Sequence, residues 1–333
     1  MNKIRFTIKI VMLMTCMFGF AMIAHAQPTR TFVSASGNDT NPCSRISPCA
    51  TFSRAITATA ANGEINCIDA GSYGTVNITK SITIDCEDTQ GTILASMTNG
   101  VIINLGSGAA NDPLRIVRLR GLTINGLGNG LRGIIVNTGN TTPVTVHVEQ
   151  VVIDGFTLDG ILFNAAGGEL LVRNTTVQNC GSPTANPVPS GLLVDSSNGA
   201  VVHATVENST FAHNRQGIRA ETAARVSVSG CNISNNALNG VVAFNTDATQ
   251  VEINVYKCAI ASNRQWGIVA SANAGGSAIV RLDGNHIVSN FGEPSAAGVQ
   301  IFSGGQVLSR GNNTISGSPT DVQGGSLGTL SNM

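Results

Sequence analysis

The sequence predicts an all-β solenoid of three parallel sheets, about ten coils long, behind a short N-terminal helix. Two observations carry this. One pattern returns through the last two-thirds of the chain at intervals of 22 to 34 residues, plainest over 225–244, 250–270 and 277–302. Within each copy, apolar and polar residues alternate at period two, as in strands with one buried face. A unit this short cannot bury a core alone, so the copies must stack and share one.

The first 26 residues stand apart from the repeat. Lys3, Arg5 and Lys9 precede an apolar run from Ile10 to Ala24, and Ala24-His25-Ala26 has the small-x-small form of a cleavage site. Residues 1–26 therefore read as a secretory signal peptide cleaved after Ala26, which predicts a secreted or periplasmic protein. The run is short for a membrane anchor, and no later segment of the sequence is apolar enough to span a bilayer. Without the leader, 16 basic residues face 19 acidic ones, a net charge of −3. That disfavours nucleic acid as a partner, since phosphate neutralisation needs a basic surface.

Residues 27–60 are expected to supply a first strand and a cap helix at Ala50–Ala60, and residues 61–333 the solenoid, fading after Gly317. The register can be marked by an apolar residue at Ile124, Ile153, Val177, Phe211, Ile233, Ile260, Ile287 and Ile315. Five and seven residues earlier lie two more apolar columns, Leu119-Val148-Val172-Val206-Val228-Val255-Leu282 and Val117-Val146-Leu170-Ala204-Val226-Ile253-Val280. Downstream a glycine introduces a third, Ile134-Ile161-Leu192-Ile218-Val241-Ile268-Val299. Three strands per coil follow, hence three sheets. Asn214, Asn236, Asn263 and Asn290 hold the place three after the mark, which predicts a ladder of stacked amides at a tight turn, where asparagine tolerates left-handed backbone. Insertions at 180–191 and 292–298 lengthen turns without breaking the columns.

Seven cysteines remain after the leader. Cys43 and Cys49 flank a proline-containing loop, and Cys67 and Cys86 occupy similar places in successive strands. Both pairs are expected to form disulfides in an oxidising compartment. Cys231 and Cys258 share one column, as a disulfide or as a reduced inward pair.

These repeats resemble those of right-handed parallel β-helix proteins of the pectate-lyase-like superfamily. The opening of the mature chain, Thr31 to Ile56, is similar to the N-terminal segment of secreted bacterial members, with Gly37, Asp39, Asn41 and Pro42 matching a Gly-x-Asp-x-Asn-Pro turn before the cap helix. The resemblance runs from about Thr31 to Gly317 and implies a right-handed coil. It implies no one activity, because the superfamily hosts lyases, hydrolases, epimerases and non-enzymes. The Asp-Asp, Gly-His-Gly and Arg-Ile-Lys strings of polygalacturonase-like enzymes and the Tyr-Gly-x-Asp-Pro-His-Asp string of epimerase-like ones are missing. No Cys/His spacing suits a metal, and Asp154 with Asp159 reads as solvated turn aspartates. The sequence thus implies no metal and no cofactor.

Charge is scarce, so its placement is informative. Four residues before the mark, the outward column reads Arg120, Glu149, Arg173, Glu207, Ser229, Tyr256, Asp283; six before, it includes Arg118, His147 and Arg281. Two meanings compete: an exposed ladder of ion pairs, or the floor of a sugar-binding groove, as enzymes resembling this fold use that sheet. On the third sheet a mostly aliphatic outward column, Ile135, Leu162, Leu193, Arg219, Val242, Val269, is either covered by inserted turns or a protein contact surface. Trp266, the one tryptophan, reads as a packed turn residue before a sugar platform. The function expected is a secreted, non-catalytic scaffold that binds carbohydrate or another surface; the alternative is a polysaccharide lyase or glycoside hydrolase acting on a polyuronide or envelope glycan. Mass spectrometry of the exported protein is expected to find Gln27 at the N-terminus, and intact Met1 there would remove the leader assignment.

Overall fold

The structure is a computed structural model that describes residues 27–106, 112–137, 143–196, 199–273 and 275–330; the leader, residues 1–26, lies outside these. Strands from successive coils pair in parallel and assemble three sheets of twelve, ten and ten strands. The first sheet runs from Arg30–Val33 to Gly328–Thr329, the second carries the marked residues, and the third carries the strands that follow the coil glycines. Twelve strands at a spacing of ~4.8 Å give a rod of about 50 Å. Strands continue past Gly317, where the sequence suggested fading: Thr320–Gln323 joins the third sheet and Gly328–Thr329 the first.

The expected columns are the core. Val148, Val172, Val206, Val228 and Val255 are each at most 1% exposed, and each stands beside the next in the first sheet's register. Burying each such side chain stabilises by about 1.5–3 kcal/mol. An exposed ion pair contributes only ~0–1 kcal/mol, so the apolar columns, not the surface charges, hold the coils together.

At the N-terminal end, helix α1 (Phe52–Ala58) turns Phe52, Ala55 and Ile56 onto the first coils. It is shorter than Ala50–Ala60 because Thr51 and Thr59 both take extended backbone and serve as caps. Asp39 explains the turn motif: its carboxylate accepts from the Ala50 and Thr51 N–H groups and from the Thr51 hydroxyl, so it aims the chain into the helix. Cys43–Cys49 and Cys67–Cys86 are disulfides, while Cys180, Cys231 and Cys258 are buried free thiols.

Two turns per coil carry side-chain ladders. At the predicted one, the Oδ1 atoms of Asn214, Asn236, Asn263 and Asn290 accept from the backbone N–H of the preceding coil at 3.0, 3.0, 3.2 and 3.1 Å. Their amides donate onward, as from Asn236 to Asn263 at 2.8 Å and from Asn263 to Asn290 at 3.0 Å. The left-handed residue is the one before, at Asn179, His213, Asn235, Ser262 and Ser289. Asparagine is therefore used here for its amide, not for backbone tolerance. The second ladder, two residues before the mark, is chemically mixed. Ser209, Cys258, Asn285 and Asn313 accept in turn from the N–H groups of Thr175, Cys231, Cys258 and Asn285. Cys231 and Cys258 are reduced members of this ladder, and the thiol of Cys258 accepts at 3.4 Å.

The coil glycines are imposed by the stack. A Cβ on Gly217 or Gly240 would lie 2.5 or 2.6 Å from the carbonyl oxygen of the equivalent glycine one coil on.

Asn263→Leu is expected to lower the unfolding free energy by ~1–3 kcal/mol, because it leaves buried partners unsatisfied. Asn273→Leu, at an exposed turn position, is expected to change it by less than ~0.5 kcal/mol. Denaturant melts of the two variants check this, and equal shifts would count against the ladder.

Candidate functional site

The outer face of the first sheet is built by the same alternation that builds the core. Residues between the buried valines point outward, and parallel pairing stacks them coil on coil. One row runs Phe32, Asn66, Asp85, Arg120, Glu149, Arg173, Glu207, Ser229, Tyr256, Asp283. Beside it stand Arg118, His147, Leu171, Thr205, Ser227, Asn254 and Arg281. All ten residues named on this face from sequence are therefore on one surface.

Most of the charges pair with one another. Arg120 donates to Glu149 at 2.9 Å, Arg173 reaches Glu207 at 2.9 Å, Arg281 reaches Glu252 at 2.8 Å and Arg310 reaches Asp283 at 2.8 Å. Tyr256 is 42% exposed, with the Lys257 ammonium 4.8 Å from its ring centre. His147 lies 3.9 Å from Glu149, but burial, reinforced by the Arg118 charge, holds its imidazole below the ordinary value of 6.5.

A third outward row, eight residues before the mark, completes the face: Thr145, Glu169, His203, Arg225, Glu252. Glu169, His203 and Arg225 are functional candidates that the two nearer columns do not include; extending the same alternation by one step reaches them. Among the described residues, Glu169, Arg225 and Arg118 have no ion-pair partner. Among the described residues, at least four depressions open on this face or its border. The central one, of about 470 Å³, is floored by Leu171 and walled by His147, Glu169, Arg173, His203 and Glu207. Others lie around Phe32 and Asp85, beside Glu64 and Thr83, and around Tyr256 and Arg281.

The third sheet holds a different arrangement. Arg132 donates to Asp159 at 3.0 Å, and the inserted turn 180–191 brings the Ser190 N–H to the same carboxylate at 2.9 Å. Asp159 is thus buried, not a solvated turn residue, and Asp154 is held separately by the Asn179 amide. Gln216 links Ser190 to Arg219, which pairs with Glu221 and lies 4.7 Å from the Phe244 ring centre. Glu221 follows Ala220, which pairs with Val194, so it neighbours Asp195 in the preceding coil. Burial raises Asp159, Asp195 and Glu221 above the ordinary carboxylate range, outweighing the arginines beside Asp159 and Glu221.

The aliphatic column of this sheet is not a continuous contact surface. Val242 and Val269 are 3% and 4% exposed and so offer nothing to a partner, while Ile135, Leu162 and Leu193 are half-buried. Trp266 donates its indole N–H to Ser295 in the turn 292–298 and meets Phe302 edge-on, so it holds that insertion in place. An Asn-Thr-Asp string, of the kind polygalacturonase-like enzymes carry, does occur at 245–247. Its side chains close a turn, with Asn245 donating to the Thr249 carbonyl and Asp247 accepting from the Thr249 N–H at 2.8 Å. No helix among the described residues is long and apolar enough to cross a membrane.

The sequence pattern described as right handed beta helix region matches residues 65–255 and, overlapping, 132–318. No curated protein matches the chain in sequence. Among solved structures, pectate lyase Pel9A superposes with a TM-score of 0.64 at 13% identity, over 89% of this chain and 78% of that one. Tailspike protein 2 of an Escherichia coli O157:H7 bacteriophage does so with a TM-score of 0.49 at 12% identity, over 77% of this chain and 39% of that one. At these identities the likeness concerns the fold.

Replacing Arg120, Glu149, Arg173 and Glu207 together with Gln or Ser is expected to cost at most ~2 kcal/mol, two partly exposed pairs at ~0–1 kcal/mol each. Chemical denaturation measures it, and a loss well beyond that would make the charged row a stabilising element.

Proposed function

The chain belongs to the right-handed beta helix family, and from that premise we propose that it is an exported protein that binds an extended glycan, without cleaving it, along the outer face of the first sheet. One observation carries the reading: the depressions are strung along one face of the rod and its border, where a linear chain could occupy them in succession. Three of them mix apolar side chains with hydrogen-bonding groups, the composition of sites that fix small polar rings. The fold is shared with pectate lyase Pel9A, which by its name acts on a polysaccharide, and this supports a polysaccharide as the class of ligand. The two disulfides support an oxidising compartment. Binding without cleavage fits the state of the carboxylates here. Glu149, Glu207, Glu252 and Asp283 are engaged by arginines, which among the described residues leaves Glu169 as the one unpaired carboxylate lining the central depression, whereas glycoside cleavage takes a pair.

A second reading, a glycoside hydrolase, is favoured by one arrangement. Asp195 and Glu221 neighbour each other on the third sheet, and both are raised by burial. Two neighbouring carboxyls could divide the acid and base roles, with Asp195 the freer of the two because Glu221 pairs with Arg219.

A glycan array with assays for new reducing ends and for unsaturated sugars separates the two. The first reading expects a bound glycan and no product. Release of product that Glu221→Gln and Asp195→Asn abolish would establish the second. Failure of every glycan to bind would end the first.

A further inference from the structure

The central depression has a charge balance that bears on which glycans it can hold. Leu171 is the one apolar residue in a row that is otherwise polar from Glu64 to Arg281, flanked in register by His147 and Thr205. On its own strand, Glu169 and Arg173 stand two residues to either side, about 7 Å away. A pyranose ring presents C–H groups on its faces and hydroxyls round its rim, so a ring lying on Leu171 would meet an apolar floor and polar walls. We propose that this depression seats one ring of an uncharged glycan on Leu171, and that the face discriminates against polyuronides and other polyanions. This rests on the glycan-binding reading above.

The reason is neutralisation. A polyanion is held by cations that lack a partner. Here Arg173 is already bound to Glu207 and Arg120 to Glu149, each at 2.9 Å. Glu169, by contrast, has no ion-pair partner among the described residues and lines the depression. A uronate placed there would face a free carboxylate across from a guanidinium already in use. Arg118 and Arg225, which also lack an ion-pair partner among the described residues, stand two coils to either side of the Leu171 strand, about 10 Å off and outside the lining of the depression. Along the main row the signs alternate, so a repeating anion would find no run of positive charge. The lowered titration of His147 adds to this, since a neutral imidazole brings no countercharge at neutral pH.

Titration calorimetry with the full chain tests this, using a neutral galactan, a polygalacturonate of similar length and a chitosan oligomer. The galactan is expected to bind with an affinity that changes less than about twofold up to ~0.5 M salt, where charge attraction is screened. Polygalacturonate is expected to bind at least about tenfold more weakly. Leu171→Ser is expected to reduce galactan binding about tenfold while leaving the far-ultraviolet spectrum unchanged, because the residue faces outward. Glu169→Lys, at an exposed position, is expected to admit polygalacturonate, and it serves as the test should Leu171→Ser fail to fold. Preferential, salt-sensitive binding of polygalacturonate by the native protein would overturn the charge argument and leave the glycan-binding reading standing. So would a Glu169→Lys protein that still rejects it. A Leu171→Ser protein that binds galactan like the native one would overturn the seat on Leu171. If no probe binds at any salt, the glycan-binding reading fails first and this inference with it.

Discussion

Everything in this molecule follows from stacking one coil on the next at ~4.8 Å. At that spacing a strand's N–H and C=O groups bond to its neighbours above and below, and each side chain lies against its counterpart one coil away. A position therefore cannot be chosen singly; it must be compatible with a copy of itself. Valine columns satisfy this by packing. Asn236, Asn263 and Asn290 satisfy it because an amide both donates and accepts. Gly217 and Gly240 satisfy it by leaving room for the carbonyl of the next coil. The mixed ladder from Thr175 through Cys258 to Asn313 shows that an acceptor, and not one residue type, is what the other turn requires.

The same constraint shapes the candidate face. Like charges directly opposed in a sheet are destabilising, so a charged column tends to alternate, and Asp85, Arg120, Glu149, Arg173 and Glu207 do. Alternation uses up the charges in pairs that contribute little stability. On the proposed reading, recognition falls to the groups alternation leaves over, with Glu169 and the apolar Leu171 at the centre. The paired arginines and glutamates thus serve as walls of fixed position, and the unpaired groups set the character of the depression. The third sheet shows the opposite outcome. There an inserted turn buries Asp159, and desolvation outweighs the arginine beside it.

Much of this was legible in the residues. Period-two alternation and a recurrent mark were enough for three parallel sheets, the inward columns, the amide ladder and the ten outward residues that share the first sheet. The family match over residues 65–318 and the three sheets agree with that fold. Less was legible where the argument used only the two columns nearest the mark. Glu169, His203 and Arg225 lie one alternation further out and belong to the same surface. The left-handed residue at the ladder turn was displaced by one for a similar reason: an Asn at constant offset looks like a backbone requirement, and the side-chain bonds that demand it are invisible until the coils are stacked.

The sequence by itself determined which way each side chain points, because in a strand that depends only on parity within the repeat. Only the tertiary structure decided which neighbours those side chains meet and how much water they keep. Arg173 and Glu207 are 34 positions apart, and an ion pair between them exists because an insertion of arbitrary length was looped out while the register was kept. Asp159 is buried because that same insertion returns over it, and Val242 and Val269 lie closed off on a face whose parity is outward. Direction is a local property of the backbone. Burial and pairing depend on what the rest of the chain lays alongside.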